Sequence, residues 1–366
     1  MTSNKLFFVT KPSSGSRTSF AFGTGVVTLI VLCLPIWIAA AAGGPRPLQI
    51  YFVDVEGGQS TLFVAPGGQS LLIDTGWAGN NSRDAGRIVA AAKSAGISRI
   101  DYVLLTHYHA DHSGGVPELA AKIPIGAFID HGPNREQSTA TEQVFEDYEK
   151  VLADKGIQRI TAKPGDVLPI TGFHAVVVSA DGVVLDSPLA GAGATNPACN
   201  TPEKLPADPS ENQRSLGTVI TYKKLRILDL GDLTWDKEMK LMCPVNKIGR
   251  VDIFVVSHHG SATSDSNALV YAISARVAIM DNGAIKGAYP DTWLRVRNAP
   301  GLEDLWQLHT AEQLAGDPQV HNVPDQFIAN LSGPDTGNYI KVLAWPDGHF
   351  EVVNSRTGTT KQYPVR

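Results

Sequence analysis

The most constraining feature of the chain is a cluster of histidines that follows a short apolar run. His107, His109, Asp111 and His112 lie within six residues, shortly after the mainly apolar residues 100–105. Side chains at positions i, i+2, i+4 and i+5 cannot share one face of a strand or of a helix, so they must line a curved loop. Imidazole and carboxylate groups are the donors that Zn²⁺ takes in an open tetrahedral site, and metal binding is a commoner reason for such histidine density than a chance surface cluster. The spacing therefore predicts a metal-binding loop at the end of a strand.

Length and charge limit the classes of protein that need to be considered. The chain has 366 residues, 43% of them hydrophobic, which is enough for one large α/β domain or two small ones. Its formal net charge is −5 at pH 7 and it contains no basic run. We therefore expect no strong binding to duplex nucleic acid.

The N-terminus has the pattern of an export signal. Three basic residues precede an uncharged stretch at residues 20–42, which ends in a run of alanines. This order predicts cleavage near Ala42, and the alternative is an uncleaved membrane anchor, because the stretch is long enough to span a bilayer. We expect residues 1–44 to be a signal peptide or an anchor. The domain would then be periplasmic or secreted, with membrane contact only through an uncleaved N-terminal segment.

The cysteines fit that expectation without deciding it. Cys33 lies in the predicted signal, so the domain retains Cys199 and Cys243. An oxidising compartment permits a disulfide between them, but their spacing does not show whether they pair. Neither lies in a metal-ligand pattern, and we interpret both as structural.

Hydrophobic periodicity predicts a single domain at residues 45–366, built from two β-rich halves. The first half is predicted to contain strands at residues 48–55, 61–65, 70–74 and 100–105 and helices at 84–95, 117–122 and 139–155. The second half is predicted to contain strands at residues 176–179, 218–222, 226–230, 251–256 and 277–280 and helices at 234–242 and 266–274. Strand, helix and buried strand in succession indicate βαβ units, and the two halves together suggest a sandwich covered by helices on both outer faces.

Two further segments stand apart from this pattern. Residues 184–214 contain five prolines and little periodicity, which predicts a loop insertion that is either a binding loop or a surface insertion. Residues 339–353 predict a C-terminal β-hairpin that turns at Pro346-Asp347-Gly348.

Other polar residues also lie where predicted strands give way to loops. Asp74 ends the third strand, Asp232 follows the strand at residues 226–230, and His258 and His259 follow the strand at residues 251–256. The carboxyl ends of parallel strands share one edge of a sheet, so a single edge can bring these groups together with the histidine cluster.

With these motifs in place, the chain resembles the metallo-β-lactamase superfamily over residues 48–290. The resemblance runs from the Asp-Thr-Gly turn at Asp74 through His-x-His-x-Asp-His to Gly231-Asp232 and the distal histidines. Residues 54–60 (DVEGGQS) and 257–261 (SHHGS) are similar to the hydrolase domain of ComEC-type DNA-uptake proteins. The resemblance implies a four-layer αβ/βα sandwich, of mixed α/β and α+β class, with one or two zinc ions at the sheet edge, or Mn²⁺ in their place.

The resemblance also implies roles for individual residues. His107 and His109 would hold the first metal, and Asp111 and His112 the second. Asp232 would bridge the two ions. A histidine after the distal strand would complete the second site.

For that last ligand we choose His258, because it follows its strand with the same offset that His107 has. His259 is the alternative, since neighbouring loop residues point in different directions. We interpret Asp74 as a residue that accepts an imidazole N–H and so orients a metal ligand.

The chain also departs from the family pattern. Many superfamily members supply a third histidine to the first metal from a mid-chain Gly-His turn, which is missing before Asp232. ComEC-type domains carry an Asn-x-x-Ser segment there, and Asn212 to Ser215 match it. His131 is a second candidate for the vacant ligand position, with an ordinary surface histidine as the other interpretation. A helix through Leu305, Trp306 and Leu308 would bring His309 near the site, but we favour packing of this segment in the core.

These features predict hydrolysis by a zinc-bound hydroxide, because zinc lowers the pKa of a bound water from about 15.7 to about 7. Asp111 and Asp232 are the predicted catalytic residues, since they would hold the water and both ions. Our first expectation for the substrate is a phosphodiester, as in a nucleotide or oligonucleotide, because the nearest resemblance is to a DNA-processing hydrolase. The alternatives are a hydrolase of a small-molecule ester, lactone or β-lactam, and a non-catalytic metal-binding module.

Overall fold

The computed structural model describes residues 46–200, 208–312 and 321–366, together with residues 15, 17–21 and 23. The predicted signal or anchor at residues 1–44 lies outside the described residues apart from those few N-terminal positions. Among the residues that are described, no helix is both long enough and apolar enough to cross a lipid bilayer. The chain divides into a unit at residues 1–43 and a unit at residues 44–366, and the second unit holds the fold described below.

The described part of this unit alternates strands with helices in both halves. Its strands are β1 (Leu48–Phe52), β2 (Thr61–Val64), β3 (Ser70–Ile73), β4 (Ile100–Leu104), β5 (Ile125–Asp130), β6 (Gln158–Thr161), β7 (His174–Ala180), β8 (Val183–Val184), β9 (Gly217–Tyr222), β10 (Leu225–Asp229), β11 (Ile253–Val255), β12 (Val277–Met280), β13 (Asp304–His309), β14 (Ile328–Asn330), β15 (Ile340–Ala344), β16 (Phe350–Asn354) and β17 (Thr360–Tyr363). Its α-helices are α1 (Arg83–Ser94), α2 (Ala110–Ser113), α3 (Val116–Lys122), α4 (Thr139–Lys155), α5 (Trp235–Met242), α6 (Asn267–Ile273) and α7 (Pro290–Arg297).

The strands form two mixed sheets. The strand order is β17-β16-β15-β1-β2-β3-β4-β5-β6 in the first sheet and β14-β13-β12-β11-β10-β9-β7-β8 in the second. Strands β3 to β6 run parallel in the first sheet, and strands β10 to β14 run parallel in the second. Each sheet therefore has a block of carboxyl ends at one edge.

The alternation of side chains along β1 shows how the layers pack. Leu48, Ile50 and Phe52 point into the core between the two sheets, whereas Tyr51 and Val53 pack on the other face with α1, α3 and α4. This follows from the two-residue period of a strand. The outer face of the second sheet packs in the same way against α5, α6 and α7. The result is the predicted four-layer arrangement of helices, two sheets and helices.

One predicted helix is a strand. Residues 304–309, which carry His309, form β13 and pair in parallel with β12. Trp306 and Leu308 enter the core between the sheets, and Leu305 packs on the helical side. A strand buried on both faces has no polar alternation, so its apolar run reads equally well as part of a helix.

The hairpin and the insertion are both tied to the body of the domain. Strands β15 and β16 form the hairpin placed at residues 339–353, and β17 extends the sheet beyond it. In the insertion, a disulfide joins Cys199 to Cys243, with their Cα atoms 5.7 Å apart. The side-chain amide of Asn196 donates hydrogen bonds to the carbonyl oxygens of Met242 and Ala268, at 3.0 and 2.8 Å. The described residues at this end of the insertion are therefore anchored to α5 and α6.

We expect replacement of both cysteines by serine to lower the free energy of unfolding by roughly 2–4 kcal/mol, because the cross-link restricts the unfolded chain. The two cysteines are 44 residues apart in the sequence. Urea denaturation followed by tryptophan fluorescence measures the change. Dithiothreitol should destabilise the wild type by a similar amount and leave the double variant unaffected. Equal stability of the oxidised and reduced wild type would contradict this role.

Candidate metal centre

The predicted site residues follow parallel strands of both sheets. Asp74 follows β3 and His107 to His112 follow β4 in the first sheet. Asp232 follows β10 and His259 follows β11 in the second. Because the carboxyl ends of these strands face one another, both sheets contribute side chains to one site, as open α/β folds commonly do.

Four buried side chains form the first group, with potential ligand atoms all within 4.8 Å of one another: Asp111, His112, Asp232 and His259. His112 Nε2 lies 3.2 Å from Asp111 Oδ2, from Asp232 Oδ1 and from His259 Nε2. His259 Nε2 also lies 3.2 Å from Asp111 Oδ2. Two imidazole nitrogens and two carboxylate oxygens thus converge, which is a donor set that Zn²⁺ accepts.

A second group shares one member with the first. It consists of His107, His109 and Asp232. His107 Nε2 lies 3.0 Å from His109 Nδ1 and 3.9 Å from Asp232 Oδ2. The two oxygens of Asp232 therefore face different groups, Oδ1 the first and Oδ2 the second. This is the position that the family resemblance implies for a carboxylate bridging two ions.

The bonding of these side chains fits a bound cation. Asp232 Oδ1 is buried and accepts no hydrogen bond within the described part of the chain. A buried oxygen without a partner is costly, and a bound cation would satisfy it. The nitrogens directed away from the groups already have partners: His112 Nδ1 lies 2.7 Å from Asp74 Oδ2, and His109 Nε2 lies 2.9 Å from Glu136 Oε2. Such contacts fix the imidazole tautomer and leave the other ring nitrogen free for a metal. The residues present therefore suit one or two divalent ions.

The geometry favours His259 over His258 for the first group, the reverse of our choice from strand offset. His258 and His259 both have left-handed backbone angles, with φ of 52° and 55°. Two such residues in succession turn the chain sharply, so an offset counted along an extended strand does not apply after β11. His258 still lies beside the site, with Nε2 3.4 Å from Asp232 Oδ2 and Nδ1 3.1 Å from Thr263 Oγ1 and 3.2 Å from Ser264 Oγ.

Asp74 takes the position expected of an orienting residue. It accepts hydrogen bonds from the backbone N–H and the hydroxyl of Thr106, at 2.8 and 2.7 Å, in addition to its contact with His112. His131 lies outside both groups, and its Nε2 is 2.9 Å from Glu211 Oε2. The structure therefore gives His131 a carboxylate partner in place of a contact with the other candidate ligands.

The Asn-x-x-Ser segment reaches the centre through its serine. Asn212 is buried, and its Oδ1 has no hydrogen-bond partner among the described residues, but it belongs to neither ligand group. Ser215 Oγ accepts a hydrogen bond from Asp232 N at 3.1 Å and lies 3.5 Å from His107 Nδ1. The serine thus helps to fix one ligand of the second group and the shared carboxylate.

Three charged residues that contact the site were not identified from the sequence. Glu136 contacts His109, and Lys286 Nζ forms an ion pair with Asp111 Oδ2. A single charge in a loop has no local pattern that could reveal either contact. Asp281 Oδ1 lies 3.3 Å from His259 Nδ1 and directly follows β12, so the strand-end signal that identified Asp74 applied here as well.

Burial and neighbouring charges shift the pKa values of the site. Burial opposes the protonated form of His112, yet Asp232 and Asp111 raise the pKa of His112 well above its usual value. Burial and Lys286 oppose the same change in His259, but Asp232 and other carboxylates raise its pKa to about 8. Burial opposes ionisation of the two aspartates, while the charge of His112 holds the pKa of each well below its usual value. In the first group, the two carboxylates are therefore ionised and the two imidazoles retain their protons.

These shifts predict that metal binding weakens as pH falls through about 8. A metal needs neutral imidazole, and protonated His112 and His259 must each release a proton to bind it. The apparent affinity should fall by about tenfold per pH unit for each proton that is displaced. Competition of Zn²⁺ with a chromophoric chelator between pH 6 and 9 measures the slope. An affinity independent of pH over this range would contradict the assignment.

We further expect His259→Ala to lose one bound metal, while His258→Ala, its neighbour on the same turn, keeps the wild-type number. The reason is that only His259 belongs to the four-residue group. Elemental analysis after reconstitution with Zn²⁺ and gel filtration counts the ions per chain. Loss of metal from the His258 variant alone would restore the assignment made from the sequence.

Comparisons with known proteins match part of the chain. Residues 54–193 match the model of the metallo-beta-lactamase superfamily. The chain is 35% identical over 104 residues to "Atrochrysone carboxyl ACP thioesterase" of Emericella nidulans, covering 28% of this chain and 33% of that protein. It is 34% identical over 114 residues to "Hydroxyacylglutathione hydrolase" of Stenotrophomonas maltophilia, covering 31% of this chain and 40% of that protein. The chain therefore spans less than half the length of these curated relatives.

Among solved structures, the chain is similar to "CmlA, a diiron beta-hydroxylase from Streptomyces venezuelae", with 12% identity, a TM-score of 0.39, and coverage of 69% of this chain and 50% of that one. It is also similar to "Rm3 metallo-beta-lactamase", with 12% identity, a TM-score of 0.35, and coverage of 58% of this chain and 76% of that one. The match to the superfamily model covers residues 54–193, which include His107, His109, Asp111 and His112, whereas Asp232 and His259 lie beyond it.

Proposed function

We propose that the protein is a metal-dependent hydrolase that cleaves an ester or thioester bond. The observation that carries the proposal is the shared carboxylate of Asp232, whose two oxygens face two groups of imidazole ligands. Hydrolases of this kind commonly use paired divalent ions to activate water and to stabilise the departing group. The superfamily domain supports the same conclusion.

The relatives favour a carbonyl centre over phosphorus. Curated proteins that the chain matches include a thioesterase and a hydroxyacylglutathione hydrolase, and others are named only as lactamase-like proteins. They support the ester alternative from the sequence more directly than the phosphodiester suggested by the ComEC-type resemblance. We therefore propose acyl hydrolysis, with phosphodiester hydrolysis as the outcome that the same assay would reveal.

Each residue of the centre has a defined task in this proposal. Divalent ions, Zn²⁺ in the first place, would be held by the two groups and would supply the positive charge that polarises water and substrate. Asp232 links the two groups, because one of its carboxylate oxygens faces each group. Asp74 accepts the Nδ1 proton of His112 and keeps the lone pair on Nε2, and Glu136 orients His109 from its other ring nitrogen.

We also propose that the domain acts outside the cytoplasm. The disulfide between Cys199 and Cys243 supports this, because such bonds persist mainly in oxidising compartments. The charged and apolar pattern of residues 1–44 supports it independently. In this proposal the segment is either a cleaved signal peptide or an uncleaved membrane anchor.

A substrate panel tests the proposed activity. Zinc-loaded protein is assayed with an acyl thioester, an aryl ester, a cephalosporin and a chromogenic phosphodiester. We expect turnover of the thioester or ester. Asp232→Ala should lose activity by at least about 100-fold, because replacing a residue that only orients a metal ligand already costs about 10–100-fold, and Asp232 is itself a proposed ligand. Asp325→Ala, which removes an exposed carboxylate from the short 3-10 helix Asp325–Phe327, is the matched control.

The other outcomes of this panel discriminate between the remaining hypotheses. Turnover of the phosphodiester alone would overturn the acyl proposal. Full zinc occupancy with no turnover of any substrate would favour the non-catalytic metal-binding module. Circular dichroism of the Asp232 variant separates loss of chemistry from loss of fold.

A further inference from the structure

A lysine on the loop after β12 lies directly against the candidate centre. Lys286 Nζ contacts Asp111 Oδ2 and lies 5.1 Å from the centroid of the Trp77 ring. The lysine side chain is 35% exposed, so its ammonium group borders both the buried ligands and the solvent. The proposed metal chemistry assigns it no task.

The backbone of this loop is held in place on two sides. Gly283 N donates a hydrogen bond to Lys286 O at 2.9 Å, and Ala288 N donates one to His259 O at 2.8 Å. On the opposite side, a Cβ added to Gly57 would lie 2.9 Å from Gly283 N, so the β1–β2 loop packs closely against it. The Cα of Lys286 is therefore fixed beside the centre, while its long side chain can change direction.

Two exposed apolar side chains belong to the same loop as the lysine. Ile285 is 77% exposed and Tyr289 is 41% exposed. Trp77, half-buried, provides an aromatic face for the ammonium group. Single exposed hydrophobic residues are ordinary, but exposed apolar groups around a cation beside a candidate centre have the composition of a ligand-binding rim.

The ammonium group and a divalent ion would compete for one oxygen. Asp111 Oδ2, which contacts Lys286, is also the oxygen that lies 3.2 Å from His112 Nε2 and from His259 Nε2. Two cations at one carboxylate oxygen repel each other, and the effect is strong where water is largely excluded. Metal binding therefore frees the lysine for an anionic partner that lies next to the centre.

We propose that Lys286 and Trp77 form a subsite for an anionic group of the substrate, with Ile285 and Tyr289 contacting its apolar part. This rests on the proposed acyl hydrolysis and narrows its substrate class to esters or thioesters that carry a carboxylate or phosphate near the scissile bond. A charge-assisted contact of this kind discriminates strongly, because a neutral analogue leaves the ammonium group without its partner.

Two thioesters that differ only in charge test the subsite: S-acetyl-3-mercaptopropionate and its uncharged amide. The wild type should show a lower KM for the anion. In Lys286→Ala the ratio of the two KM values should change by about tenfold, the size expected for losing a hydrogen bond to a charged group. Lys286→Arg should restore most of the preference. Lys224→Ala, at the opposite end of β10 from Asp229, is the matched control.

A metal titration separates substrate binding from a structural role. If Lys286 only supports Asp111, then Lys286→Ala should bind Zn²⁺ more weakly. If the lysine is a competing cation that serves the substrate, the affinity of this variant should equal or exceed that of the wild type. A weaker affinity, or an unchanged ratio of KM values, would overturn the proposal.

Binding of non-hydrolysable analogues distinguishes failure of the subsite from failure of the proposed function. Calorimetry with S-ethyl-3-mercaptopropionate and its amide measures recognition without chemistry. Preference for the anion without turnover of either thioester would refute acyl hydrolysis and leave the subsite standing. Equal binding of both analogues to the wild type would refute the subsite, whatever the activity.

Discussion

Two ionised carboxylates, Asp111 and Asp232, are buried where the edges of the two sheets meet, and the site depends on balancing their charge. Removing an ion from water costs several kcal/mol unless it is closely paired. In the structure the compensation comes from His112, His259 and Lys286, which all lie close to these oxygens. A divalent cation balances the same carboxylates more completely and leaves both imidazoles neutral. The buried negative charge that requires compensation is therefore also what enables the site to bind a metal.

The backbone around these charges is strained in the way that functional sites often are. Asp74, His258 and His259 all have positive φ, at 60°, 52° and 55°, and each such residue costs about 1–3 kcal/mol. The surrounding structure holds the turn after β11 in place: Ser257 N donates to Asp265 Oδ1 at 3.1 Å. The buried side chain of Asp265 thus helps to offset the cost of this turn.

The sequence predicted the parts of the site whose signal is local. The His107 to His112 cluster is visible in six residues, and Asp74 and Asp232 were found because polar residues at strand ends meet at one sheet edge. The choice of His258 over His259 assumed extended backbone, whereas both residues lie in a left-handed turn that brings His259 into the first group. Lys286 could not be found, since its contact with the centre joins loops far apart in the chain. The segment that ends at His309 packs in the core as favoured, but as strand β13 in place of a helix, and His309 Nε2 lies 2.6 Å from Asp54 Oδ1.

The second ligand group, which contains two histidines and Asp232, is held in place by the end of the insertion. Glu136 Oε2 faces His109 and also accepts a hydrogen bond from Glu211 N at 2.8 Å. His131, a candidate ligand from the sequence, binds the carboxylate of the same Glu211. Ser215, a few residues later, holds the shared carboxylate in turn. A site with few donors gains from having them fixed beforehand, since less ordering is needed when the ion binds. Glu211 and Ser215 therefore contribute by positioning the ligands of this group.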